Sequence, residues 1–311
     1  MVILGSTYTP VMDVLKGKLP VSAELRAFDP RRPLSQQVAD VDVLIIGSHR
    51  VTADVIQDAP KLRLLQQHGR GVDSVDRLTA SRAGVQVANV PGGNGIAVAE
   101  FCLTLTLLLA KRVAEMPAAV GARITGAPTG IEIAGKTLAI VGLGNAGTEL
   151  AVRANALGMK VLGVRARPDA GAPRGVQEVF GPTNLKDVLA QADFVCLLAT
   201  LTEQTRGMIG ADELHSMKAS AYLVNAARGG LVDYRALLDA LRGGKIAGAA
   251  FDTFWTEPAD PADPILKEPT FFLSPHVAGF SDVSIDFVTD VVAENVKRLL
   301  DGRELLNTVL P

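Results

Sequence analysis

Only two of the 311 residues are cysteine and only four are histidine. Cys102 and Cys196 sit in the apolar runs EFCLTLTLLL and DFVCLLAT without a CxxC partner, so buried free thiols are expected and a disulfide framework is not. His49, His68 and His215 lack the spacing of metal ligands, and no metal site is expected. No apolar run approaches the ~20 residues that a membrane span requires. The opening MVILGSTYTP has neither a basic n-region nor a cleavage pattern, so a cytoplasmic protein is expected. Charge is nearly balanced, with a net value of -2 and a pI near 6.1. That gives no basic surface for nucleic acid. Aromatics make up only 5%, there is no internal repeat, and no tract is of low complexity.

What is abundant is aliphatic. With 48% hydrophobic and 21% charged residues, the chain can bury a sizeable core, and its length suggests two domains. In the first ninety residues VDVLIIGS (Val41 to Ser48), LRLLQQHG (Leu62 to Gly69) and VQVANV around Gln86 read as buried strands alternating with helical stretches, which implies a parallel sheet. From Asn94 to Val113 the chain is long, apolar and helical, with Lys111 and Arg112 suited to its C-terminal end. It is too apolar for a surface helix and fits a position between domains or at a subunit interface. Residues 115–134 carry Gly and Pro without periodicity and read as a connector.

A second α/β pattern starts at KTLAIVGLGNAG. Strands are expected near Leu138–Val141, Lys160–Val164, Phe194–Leu198, Ala221–Asn225, Ile246–Phe251 and Thr270–Leu273, with a last helix from roughly Ser284 to Leu300. Six strands at that spacing describe a doubly wound sheet.

The segment Gly142-Leu143-Gly144-Asn145-Ala146-Gly147 is a GxGxxG motif between a strand (LAIV) and an amphipathic helix (TELAVRANALG). Gly142 permits the tight turn, Gly144 lets a pyrophosphate approach the backbone, and Gly147 lets helix and strand pack closely. The helix N-terminus offers free N–H groups to phosphate. Asn145 and Ala146 belong to the same dinucleotide-binding turn. An acidic residue at the end of the next strand would hold the adenosine ribose diol. KVLGVRARPD has Arg165 and Arg167 there instead, and guanidiniums suit a 2′-phosphate. NADP is therefore expected over NAD, unless both arginines are solvated surface charges.

Three polar residues follow later strands, where ligands of such a sheet bind. These are Arg228 in LVNAARGGLVD, Glu257 in AAFDTFWTEP and His276 in LSPHVAG. Reduction of a 2-keto acid needs a cation for the carboxylate, which the planar fork of Arg matches. It also needs an acid for the carbonyl oxygen, a role that His fills near neutral pH, raised and oriented by a neighbouring carboxylate such as Glu257. Singly, each residue has a structural alternative: a helix-capping Arg, a turn Glu, a loop His. Trp255 lies between Asp252 and Glu257, where it either lines the site or packs.

The chain resembles the D-isomer-specific 2-hydroxyacid dehydrogenases, which include D-lactate, glyoxylate/hydroxypyruvate, D-3-phosphoglycerate, formate and phosphite dehydrogenases. The matching stretches are GLGNAG, LTEQTRGMIG, NAARGGLVDYRALLDAL, GKIAGAAFDTFWTEP and SPHVAG, with HGRGVDSVD and VPGGNGIAVAE earlier in the chain. The resemblance implies a catalytic Arg228, Glu257 and His276, a nicotinamide-contacting Asp252, and Ala226 among the cofactor contacts. It implies substrate carboxylate binding near Arg70 and Gly71, where Arg70 either meets a second anionic group or faces solvent. It also implies two Rossmann-like doubly wound parallel-sheet domains with a cleft between them. The substrate-binding domain would comprise residues 1–95 and 285–311, the inserted dinucleotide-binding domain residues 96–284, and the protein would be a homodimer. The expected reaction is hydride transfer between NAD or NADP and C2 of a small 2-hydroxy or 2-keto acid of glyoxylate/hydroxypyruvate type. The alternatives are a D-3-phosphoglycerate or other anionic D-2-hydroxyacid dehydrogenase and a nucleotide-sensing corepressor-like protein. The GGN stretch (Gly92 to Asn94) matches the phosphoglycerate branch, yet no regulatory domain follows Pro311, so serine-type feedback is not expected.

Overall fold

A computed structural model of the chain describes residues 1–5, 9–47 and 49–310. By its internal contacts the chain divides into two compact units, Met1–Asn94 with Phe280–Pro311, and Gly95–Gly279. The return into the first unit falls before Phe280, earlier than residue 285. The reason is local. Ser281 caps a single continuous helix, accepting from Ser284 N–H in a reciprocal capping box, so the helix already starts at Asp282 and its whole length lies in the first unit.

The first unit contains β1 (Val2–Gly5), α1 (Thr9–Lys18), β2 (Glu24–Ala27), β3 (Val43–Ile46), α2 (Ala53–Gln57), β4 (Leu64–Gln67), α3 (Arg77–Arg82) and β5 (Gln86–Ala88). Its sheet is parallel throughout, in the order β2-β1-β3-β4-β5. Alternation along β3 explains the layering. Leu44 and Ile46 face Val55, Ile56 and Ala80 of α2 and α3. Val43 and Ile45 share the other core with Leu15 of α1 and with Val288, Val292 and Val296 of the C-terminal helix. Each such aliphatic side chain, fully buried, stabilises by about 1.5–3 kcal/mol. β1 and β2 were not among the expected strands: β1 is four residues long, and β2 reads ELRA, a charged edge strand. β3 and β4 are shorter than the apolar runs that announced them, and Ser48 lies outside the described residues.

The second unit contains α4 (Gly95–Lys111), α5 (Met116–Gly121), β6 (Thr137–Val141), α6 (Asn145–Ala156), β7 (Lys160–Val164), β8 (Glu178–Phe180), α7 (Leu185–Gln191), β9 (Phe194–Leu197), α8 (Ala211–Ser216), β10 (Tyr222–Asn225), α9 (Tyr234–Arg242), β11 (Gly248–Phe251) and β12 (Phe271–Leu273). The chain ends in α10 (Asp282–Leu300), which belongs to the first unit. The sheet of the second unit is parallel in the order β12-β11-β10-β9-β6-β7-β8. It holds seven strands rather than six, because β8 is a three-residue edge strand (EVF) without a buried apolar run. Residues 115–134 are likewise not simply a connector, since they include α5. That helix has no buried residue, so no apolar stripe marked it in the sequence.

Val195 and Leu197 of β9 face the core covered by α7, α8 and α9. Phe194 and Cys196 face the core covered by α4 and α6. Both units are thus doubly wound α/β layers. In the second, the order reverses between β6 and β9, the switch point beyond whose C-terminal strand ends such sheets bind ligands. Among the described residues no helix is long and apolar enough to cross a membrane, and no cluster of His, Cys, Asp and Glu could hold a metal ion.

Candidate active site

The glycine-rich turn follows β6. Gly142 has φ +110°, and a Cβ there would run into the backbone of Leu198 and Ala199 after β9. A Cβ on Gly147 would strike the carbonyl oxygen of Gly142. Gly144 stands extended at the N-cap of α6, with no side chain capping the helix. The first-turn N–H groups of a twelve-residue helix therefore open onto a cradle that side chains would fill, which fits a dinucleotide pyrophosphate. Asn145 is exposed, with its amide against Gly95 at the start of α4, and Ala146 is half-buried.

β7 ends at Val164, and Arg165 follows. Its Nη2 donates to the carbonyl oxygen of Gly171 at 2.6 Å, while its Nε is buried with no hydrogen-bond partner among the described residues. Arg167 is exposed. Residues 165–168, directly after this strand, include no Asp or Glu.

Three loops at the C-terminal strand ends bring the predicted polar residues together. Arg228 follows β10 in extended backbone, fixed from one side by the buried Asn225, whose Nδ2 donates to Arg228 O at 2.9 Å. Asn225 Oδ1 accepts from Ala227 N–H at 3.1 Å. Ala226, half-buried, begins the same turn. Beyond Arg228, Gly229 touches the backbone of Phe254 and Trp255, where no Cβ could fit.

Glu257 and His276 are paired: Glu257 Oε2 lies 2.7 Å from His276 Nδ1, with side chains 18% and 29% exposed. Glu257 Oε1 accepts from Phe254 N–H at 3.0 Å. Burial pushes the Glu257 carboxyl up, but the hydrogen bond and charge of His276, the Phe254 N–H and the Arg228 guanidinium outweigh it, so the group stays below its usual 4.5. An ionised carboxylate only accepts, so Nδ1 carries the proton of this bond and Nε2 is left for other partners.

His276 has φ +56°, a conformation that few non-glycine residues adopt. Asp252, 1% exposed, holds it there. Its Oδ1 accepts from Ser274 Oγ at 2.7 Å and from Val277 N–H at 2.9 Å, and its Oδ2 accepts from Ala278 N–H at 2.8 Å. Burial raises the Asp252 carboxyl against the lowering effect of these bonds. Sequence reasoning placed Asp252 among cofactor contacts; the structure adds this anchoring of the His276 loop. It passed over Asn225, Ser274 and Gly229. Asn225 closes the largely buried β10 and Ser274 directly follows the half-buried edge strand β12; a polar residue at a strand end is the signal that could have found them.

Trp255 packs. Its ring stacks on Phe251 at 5.3 Å and meets Tyr234 and Phe254 edge-on. Arg70 and Gly71 lie in the first unit, in the turn after β4; Arg70 is exposed, and its carbonyl oxygen accepts from Asn89 Nδ2 at 2.8 Å.

The family model for the "D-isomer specific 2-hydroxyacid dehydrogenase, NAD binding domain" matches residues 103–278. A D-3-phosphoglycerate dehydrogenase of Methanocaldococcus jannaschii is 36% identical over 90% of this chain, which spans only 53% of that relative's length. A glyoxylate reductase of Korarchaeum cryptofilum is 36% identical over 92% of this chain and 85% of its own length. Among solved structures, the TT0316 protein from Thermus thermophilus superposes with a TM-score of 0.85, at 31% identity and with both chains fully covered. A nicotinamide-dinucleotide domain with this match, and relatives of this identity over nine-tenths of the sequence, make the chain a member of the D-isomer specific 2-hydroxyacid dehydrogenase family.

Proposed function

We propose that this protein is an NAD(P)-dependent oxidoreductase that reduces a small 2-keto acid of glyoxylate/hydroxypyruvate type at C2, or oxidises the matching D-2-hydroxy acid. The observation that carries this is the 2.7 Å Glu257–His276 pair beside Arg228, at the strand ends of a sheet bearing an open glycine cradle. Bound nicotinamide supplies or accepts the hydride. Glu257, ionised, keeps a proton on Nδ1 and fixes the ring plane, so the proton at Nε2 passes to the substrate oxygen as C2 is reduced and returns there on oxidation. Arg228 offers its fork to the substrate carboxylate. One hydride and one proton are consumed per keto acid, with no further reactant.

Gly142, Gly144, Asn145, Ala146, Gly147, Ala226 and Asp252 form the cofactor set in this reading. Arg165 and Arg167 favour NADP: the buried, unpartnered Nε of Arg165 and the absence of Asp and Glu from residues 165–168 suit a 2′-phosphate. Arg165→Asp should move the preference toward NADH by about tenfold or more, and unchanged kinetics with both cofactors would refute the assignment. Arg70 and Gly71 are assigned to substrate, where Arg70 adds charge for a second anionic group; 3-phosphoglycerate is therefore the second substrate to test.

A homodimer is part of the proposal. Val113, Met116, Val120, Ile124 and Ile131 are all exposed in one short segment of the second unit, beside a cavity of about 300 Å³ lined by Leu108, Tyr222, Phe271 and Phe272. Such patches mark interfaces, and Val120→Glu with Ile124→Glu should yield a monomer in sedimentation. The two buried free thiols suit a reducing compartment, here taken as the cytoplasm.

The deciding experiment offers a panel of 2-keto acids with NADPH and NADH and follows the absorbance of the reduced nicotinamide. Turnover on glyoxylate or hydroxypyruvate, abolished in His276→Ala, is the expected result. A protein that binds dinucleotide and turns over none of them would favour a nucleotide-sensing role.

A further inference from the structure

Two loops must hold their charged side chains at a fixed spacing if Arg228 is to grip the carboxylate while His276 meets the keto oxygen. The Arg228 turn is fixed on its near side by Asn225. On its far side, Leu231 N–H returns to Arg228 O and Val232 N–H to Gly229 O, which ties the turn to itself. Trp255 ties the turn to the Glu257 loop. Its Nε1 donates to Val232 O at 2.7 Å, and its neighbour Phe254 donates its backbone N–H to Glu257. Gly229 meets the Phe254–Trp255 backbone so closely that the loops are in main-chain contact.

The indole is not free to swing. Phe251 lies stacked on it, with Tyr234 and Phe254 edge-on, and the Tyr234 hydroxyl is itself held by Asp263 Oδ1 at 2.6 Å. Val232 is 1% exposed and bridges to Ile209, so the carbonyl that receives the indole N–H is equally fixed. A rigid donor thus meets a rigid acceptor, which is how a geometry is held to a fraction of an ångström.

We propose that Trp255 is a positioning residue that sets the spacing between the Arg228 turn and the Glu257–His276 pair, acting through its indole N–H on Val232 O. The inference rests on the reading of the site as a 2-keto acid reductase. Trp255 touches no substrate in it; its influence passes through Arg228.

Trp255→Phe keeps an aromatic ring and removes the donor. Because Trp255 is the single tryptophan of the chain, biosynthetic replacement by benzothienylalanine, with sulfur in place of N–H, removes the donor with the ring size kept and covers the case in which the phenylalanine variant fails to fold. Both should raise KM for the keto acid by about tenfold, with kcat and the NADPH dissociation constant within about twofold of the parent. In a double-mutant cycle, Trp255→Phe with Arg228→Lys should lose little more than Arg228→Lys alone, while Trp255→Phe with His276→Asn should be additive.

A parental keto-acid KM in both replacements overturns the proposal, as does additivity with Arg228→Lys or an equal weakening of NADPH binding. A parent protein inactive on every keto acid overturns the underlying functional reading as well, and so separates the two failures.

Discussion

Glu257→Gln tests the centre of the site. Glutamine keeps the side-chain length, and its oxygen can still accept the Phe254 N–H that Glu257 Oε1 accepts at 3.0 Å. Its nitrogen then faces His276 Nδ1, so the direction of the 2.7 Å bond reverses and the ring proton moves to Nε2. A hydrogen bond to a charged group contributes about 1.5–3 kcal/mol. With the partners 18% and 29% exposed, solvent screening puts the loss at the lower end, about 1.5 kcal/mol.

The sign with pH follows from the carboxyl lying below its usual 4.5 in the fold. The unfolded chain takes up that proton first, so the stabilisation is present above 4.5 and is lost as pH falls through the depressed value. Asp252 acts oppositely. Burial raises it, so its contribution is greatest below 3.8 and declines as pH rises through the raised value. The difference between parent and Glu257→Gln isolates the first effect, because Asp252 is common to both.

Urea unfolding followed by the fluorescence of Trp255 reports on the second unit. The variant should be less stable near neutral pH and converge on the parent in acid, and its kcat should fall on the order of 10²-fold. A stability gap that persists or widens in acid would refute the assignment of an ionised Glu257 to this bond.

Gly142→Ala should lower the melting temperature of the second unit and abolish saturable NADPH binding in a fluorescence titration. The positive φ alone costs about 1–3 kcal/mol, and the new methyl meets the Leu198–Ala199 backbone. In the first unit, Asn295→Ala should cost about 2–4 kcal/mol by calorimetry. Asn295 is fully buried, donates to Gln66 Oε1 at 2.7 Å and accepts Leu306 N–H at 2.8 Å, and the variant leaves both partners unmatched. Thr253→Val should be neutral or stabilising by up to about 1 kcal/mol in urea unfolding, because Thr253 Oγ1 is buried without a partner among the described residues. Destabilisation beyond that would reveal a bond the hydroxyl makes.

Legibility in the sequence followed burial, with β1 as the exception: its buried VILG run at the start of the chain passed unread. Central strands such as β6, β7 and β9 have continuous aliphatic runs because helices cover both faces, and their positions could be read directly. β2 and β8 lie at sheet edges, and α5 buries nothing; with no apolar pattern to enforce, nothing in their residue order marked them. The chemistry behaved similarly. Glu257 and His276 could be chosen by residue type at strand ends, but their bond spans nineteen positions and depends on a left-handed His276 backbone anchored by Asp252.

Residue order alone therefore determined the layered α/β plan, the glycine turn onto a helix N-terminus, and which ionisable types stand at strand ends. These follow from periodicity and backbone stereochemistry, which act over a few residues. Only the tertiary structure decided that the Asp252 carboxylate secures the histidine loop, that Gly229 lets two loops touch, and that the indole of Trp255 joins them. Those contacts link segments remote in the chain, and their geometry exists only once the sheet has set its strand ends side by side.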